Sequence, residues 1–151
     1  RDGELRFAEW YYGPQDRLFL SLKNVLKKDN WLFTNMTTIV AFQAIYEDRY
    51  SRKFRNNNLL TQQEDVKVFS LNMDLLKMWG MKHRLHYGLE FNHNNVASEA
   101  WYEDIYSGEK TPALTRYPDG GSVTWSASAY ASYKWILQKK LVLNSGARYN
   151  R

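Results

Sequence analysis

Histidine and carboxylate side chains are where this sequence could hold a metal or move a proton. Its three histidines are His83, His86 and His93. A spacing of three puts two imidazoles on one side of a helix but on opposite faces of a strand. The stretch around them alternates as a strand does, so no metal site and no cofactor are expected. The carboxylates Glu47, Asp74, Glu90, Glu99, Glu103 and Asp104 could in principle work as general acid and base. That chemistry needs a closed cleft and displaced pKa values, and charges lining a watery wall are the simpler account. No Ser-His-Asp order, phosphate-cradling glycine loop or nucleophile elbow occurs, and Pro118-Asp119-Gly120-Gly121 reads as a turn. The absence of cysteine excludes a disulfide framework and a thiolate metal site. The net charge is +5, yet Arg49, Arg52, Lys53 and Arg55 form the one dense basic cluster. A solvated loop accounts for that cluster, so nucleic acid is not an expected partner. The chain is not expected to be an enzyme.

The elements that position these residues follow from a period of two. The stretch Lys67 to Phe91 folds about Gly80 with both faces kept. Phe69, Leu71, Met73 and Leu75 meet Phe91, Leu89, Tyr87 and Leu85, while Ser70, Asn72 and Asp74 meet Glu90, Gly88 and His86. Upstream, Gly13-Pro14 interrupts an aromatic strand at a bend, bulge or edge. Leu18, Leu20 and Leu22 then share a face. After a polar turn at Lys27 to Asn30, a strand from Trp31 to about Tyr50 carries Leu32, Met36, Val40 and Phe42 on one face. Asn35, Thr37, Gln43 and Glu47 lie on the other, with Phe33 and Ile39 as exceptions. Downstream, Val123 to Trp135 alternates again, and a turn at Gln138-Lys139 sets Trp135 and Tyr133 against Leu141 and Leu143. The stretches Arg49 to Gln63 and Asn94 to Ser122 read as long polar loops.

The fold class expected is therefore all-β: an antiparallel up-and-down meander with short turns at one end and long loops at the other. That asymmetry marks an outer-membrane β-barrel. The mean hydropathy of −0.64 does not oppose it, because a barrel strand crosses with about 9–11 alternating residues. Trp31, Trp79 and Trp135 each stand beside a short turn, as a girdle at the water–lipid boundary would, with Tyr46 in the opposite girdle. Leu71 and Leu89 would face lipid. The chain opens at Arg1 with no Met and stops at Arg151 inside a strand-like stretch, so residues 1–151 are expected to be one partial barrel domain cut from a longer protein.

Four stretches resemble the barrel of TonB-dependent outer-membrane receptors, most closely those of Bacteroidetes-type bacteria. They are A-E-W-Y-Y-G-P-Q-D-R (Ala8 to Arg17), Y-G-L-E-F-N-H-N-N-V-A-S (Tyr87 to Ser98), T-R-Y-P-D-G-G-S (Thr115 to Ser122) and G-A-R-Y-N (Gly146 to Asn150). The resemblance implies an active transporter in the bacterial outer membrane. It would import a scarce solute (siderophore-iron, haem, cobalamin or an oligosaccharide) with energy from the TonB–ExbB–ExbD complex. Its partners would be outer-membrane lipid, the solute, the rest of the barrel and a plug that this segment lacks. On that reading Glu47, Asn72, Asp74, Arg84, His86, Glu90 and Arg148 line the lumen, with His86 beside Asp74. Trp101, Tyr102, Tyr106 and Arg116 contact ligand from the longest loop. Two other architectures share the alternation: a complete small outer-membrane barrel with a structural role, and a soluble lipocalin-like barrel with its apolar face turned inward.

Overall fold

The computed structural model describes residues 5–117 and 120–151. Seven strands follow one another: β1 (Phe7–Lys27), β2 (Asn35–Lys53), β3 (Asn58–Trp79), β4 (His83–Asp104), β5 (Lys110–Pro112), β6 (Gly121–Gln138) and β7 (Leu141–Asn150). All belong to one antiparallel up-and-down sheet. Its order is β1-β2-β3-β4-β6-β7, with β5 on β4 off that path. The path ends at β1 and β7.

Contacts divide the chain into two units that share the long strands. Unit 1 is residues 1–19, 43–68 and 94–123; unit 2 is residues 20–42, 69–93 and 124–151. The connections sort between them. Unit 2 holds residues 28–34, 80–82 and 139–140, and unit 1 holds 54–57 and the excursion from 105 to 120. Gly80 has a φ of 58°, so the hinge read from the sequence is a left-handed position that glycine takes without steric cost.

Several boundaries differ from the sequence reading. The two polar stretches are mostly strand: β2 runs on to Lys53, β3 begins at Asn58 and β4 continues to Asp104. Polarity marks where side chains meet water, and it does not stop a backbone ladder. The tip after β4 closes because Asp104 accepts from the amides of Tyr106 and Ser107, both at 2.9 Å. Gly108 there has a φ of 72°. At the other boundary β2 starts at Asn35, not Trp31. The Asn30 side chain caps Leu32 N at 2.8 Å and Phe33 N at 2.9 Å, holding residues 28–34 as a turn. Phe33, an exception to the alternation, is therefore not a strand residue; it is the one buried apolar side chain among those described.

β1 is continuous through Gly13-Pro14, and as an end strand it tolerates the missing N–H. Its partners slip there. Beyond Pro14, Gln15 reaches Glu47 and Arg17 reaches Gln43. Before it, Tyr11 stacks on Tyr50, Arg49 lies over Tyr12, and Arg52 binds Glu9. Odd residues of β1 meet odd residues of β2 on one side of the proline and even residues on the other, the signature of a bulge. In the last hairpin Trp135 pairs with Leu143 and Tyr133 with Ser145, two residues away from the expected register. The turn is Lys139-Lys140, and a bulge between Ile136 and Gln138 takes up the odd residue. An even shift leaves every side chain on its face. The turn read at Pro118-Asp119 lies outside the described residues.

Candidate functional site

The alternation gives unit 2 two unlike faces. On one, Leu71, Met73, Leu89, Phe91, Trp125 and Tyr149 surround an open hollow of about 400 Å³. Leu89 is 57% and Trp125 56% exposed, so no described residue covers this apolar surface. On the same parity, His83 Nδ1 lies 2.6 Å from the Tyr133 hydroxyl, and its ring stacks on Trp135 with centroids 5.7 Å apart. Tyr87 donates to the Leu32 carbonyl at 2.8 Å. Lys77 also has this parity, but its ammonium is tucked against Asp29 at 2.7 Å and the Asn30 carbonyl. That ammonium, hydrogen-bonded to it, holds the Asp29 carboxyl below its ordinary range. Trp31 stands exposed in the 28–34 connection, Trp79 ends β3 and Trp135 sits four residues from Lys139.

The other face of unit 2 is polar and bonded across strands. Arg148 on β7 forms an ion pair with Glu90 on β4 and donates to Ser128 Oγ at 2.9 Å, and Ser128 Oγ donates to Glu90 at 3.1 Å. Tyr130 on β6 reaches over β4 to donate to Asp74 on β3. The path is open because residue 88 is glycine: a Cβ there would lie 2.7 Å from the Tyr130 hydroxyl. The expected Asp74–His86 pairing is thus replaced by Asp74–Tyr130. His86 and Arg84 are exposed, and Asn72 shares the parity of Asp74.

Unit 1 is a set of polar clusters. Glu47 pairs with Arg49 along β2. Tyr50 donates to Asp48 at 3.1 Å, and Gln63 donates to the Tyr46 hydroxyl at 2.6 Å. Arg116 pairs with Glu64 at 3.0 Å. The four expected ligand contacts do not converge. Trp101 and Tyr102 are neighbours on β4 and point to opposite faces. Tyr106 is 81% exposed at the tip, and Arg116 is engaged by Glu64. Trp101 instead lies under the Lys110 ammonium at 4.8 Å, held by β5 pairing. It lines an open hollow of about 490 Å³ with Ser98, Lys110, Thr111, Pro112 and Thr115.

No family model, curated protein or solved structure matches the chain. No group of three His, Asp or Glu side chains among the described residues could hold a metal ion. Tyr130 and Ser128 are the polar-face residues that sequence reasoning missed. Both sat on the polar side of the Val123–Trp135 alternation, so the available signal was parity opposite Gly88 once β6 is known to neighbour β4.

Proposed function

We propose that the chain is a wall segment of an outer-membrane β-barrel of the TonB-dependent receptor type. The parent protein is an active importer of a scarce solute such as siderophore-iron, haem, cobalamin or an oligosaccharide, and not an enzyme. One observation carries the proposal: the chain exposes its apolar face, with Phe33 the one buried apolar side chain among the described residues, while its opposite face is bonded by Glu90, Arg148, Ser128, Asp74 and Tyr130. The exposed area is 11478 Å², whereas a compact monomer of 17.9 kDa exposes roughly 8,000 Å². A soluble ligand-binding barrel would spend its apolar face on an internal core. A bilayer wall leaves that face for lipid and turns the polar one to water. β3 and β4 have 22 residues each, about twice the ~9–11 a crossing needs, so their polar halves extend the wall into water. The four-stretch resemblance adds the transporter class, and with it a plug and the TonB–ExbB–ExbD complex as partners.

Spin labels in the membrane-assembled parent protein test this. Labels at Leu71, Met73 and Leu89 should be relaxed by oxygen, and labels at Asn72 and Ser126 by a water-soluble nickel chelate. Gly88 is unsuitable because a side chain there strikes Tyr130. The reversed pattern would sink the proposal and favour a soluble barrel.

A further inference from the structure

Each of the three connections in unit 2 repeats one pairing of residue types. Lys27 and Lys28 precede Trp31, Trp79 precedes Lys82, and Trp135 precedes Lys139-Lys140. All five lysines are exposed. The single carboxylate in these connections, Asp29, is already engaged by Lys77 at 2.7 Å. The connections stand side by side at one end of unit 2. Ile136 on β6 donates to the Lys82 carbonyl at 2.8 Å, Thr34 donates to the Leu76 carbonyl at 2.7 Å, and Tyr87 holds Leu32. The lysines therefore form a row along the sheet order, next to the exposed Trp31 and to Trp79 and Trp135, which have the parity of the apolar face.

We infer that this row is a binding surface for anionic phospholipid headgroups in the leaflet at the turn side. The inference rests on the proposed membrane setting of the apolar face and adds the chemistry of the lipid. Indoles prefer the headgroup level, which places ammonium groups three to five residues away among the phosphates. Lysine stems bury their methylenes while the charge stays in water. Unpaired lysines beside an anionic surface each strengthen binding about fivefold, through an attraction that fades within a Debye length. Charge segregation supports the assignment. Unit 2 has eleven Lys and Arg against three carboxylates, a net +8, while unit 1 has ten against thirteen, a net −3, which together make the chain's +5.

Flotation of the full chain, refolded with vesicles of phosphatidylcholine alone or with added phosphatidylglycerol, tests the assignment. The phosphatidylglycerol vesicles should bind more tightly, and the gain should vanish in high salt. The combined Lys28→Gln, Lys82→Gln, Lys139→Gln and Lys140→Gln variant should lose the gain, by several hundredfold if the four act independently. Lys53→Gln with Arg55→Gln, in unit 1, should keep it. Equal binding to both vesicle types would overturn the lipid assignment and leave the membrane setting standing. Binding to neither would overturn both. Equal losses per charge in the two variants would show that net charge, not the row, attracts the lipid.

Discussion

Units 1 and 2 are built from portions of the same strands, yet they differ in what they bury. Unit 1 buries polar groups: Asp48, Thr61, Glu64 and Ser98 are each less than a tenth exposed. Tyr50 donates to Asp48 and Arg116 to Glu64. Unit 2 buries Phe33 and Lys77 and leaves Leu20, Leu22, Leu89, Trp125 and Leu143 exposed. Unit 1 is net acidic, and unit 2 is strongly basic. A sheet in water can carry polar pairs on both faces at little cost, whereas a large exposed apolar face needs a partner. The same backbone ladder thus carries two kinds of surface, and side-chain chemistry alone tells them apart.

The largest expected effect breaks that division on the apolar side. Leu71→Arg should cost about 2–4 kcal/mol of stability in bilayers if the site is near mid-depth. Asn72→Arg, one residue away on the polar face, should cost under about 1 kcal/mol. Urea unfolding in vesicles checks both. Equal losses would erase the distinction between the faces.

A smaller effect tests the polar bonding of unit 2. Gly88→Ala pushes a methyl group against the Met73 carbonyl oxygen and against the Tyr130 hydroxyl and ring edge and should cost about 1–3 kcal/mol. Tyr130→Phe removes only the hydrogen bond to Asp74 and should cost about 1 kcal/mol. In a Tyr130→Ala background, which removes the ring edge as well as the hydroxyl, the Gly88→Ala penalty should shrink by the ring's share while the Met73 carbonyl's share remains, which a double-mutant cycle reads directly. Undiminished loss would mean that the glycine serves the backbone and not the tyrosine. The Glu90–Arg148 pair is a third to a half exposed, so water and salt should screen it and its coupling should be the weakest of this set.

The smallest effect lies in unit 1, at the β4–β5 tip. Amides of Ser107 and Tyr106 hold the Asp104 carboxyl below its usual range. A depressed folded pKa gives stability that is full above the unfolded value of about 3.9. It is lost as pH falls through the lower folded value. Amide resonances of Tyr106 and Ser107 should therefore hold steady from neutral pH to about 4 and move below it. Asp104→Asn should remove that titration. A midpoint above the usual carboxylate range would contradict the tip geometry.

By itself the sequence determined the all-β class, the two-faced strands and the hinge at Gly80. These are local properties: side chains alternate along any extended backbone, and a positive φ suits glycine wherever it falls. It also placed Asp74, Glu90 and Arg148 on one face, because parity survives an even register shift such as the one after Trp135. Only the tertiary structure decided where strands end, since Asn94–Asp104 and Arg49–Lys53 are polar yet stay in the ladder through bonds to neighbouring strands. It likewise chose Tyr130 over His86 for Asp74, separated Trp101 from Tyr102, and gathered scattered lysines into one row. Each of those outcomes depends on which distant strand lies alongside, and pairing between strands is set by long-range packing that no window of sequence contains.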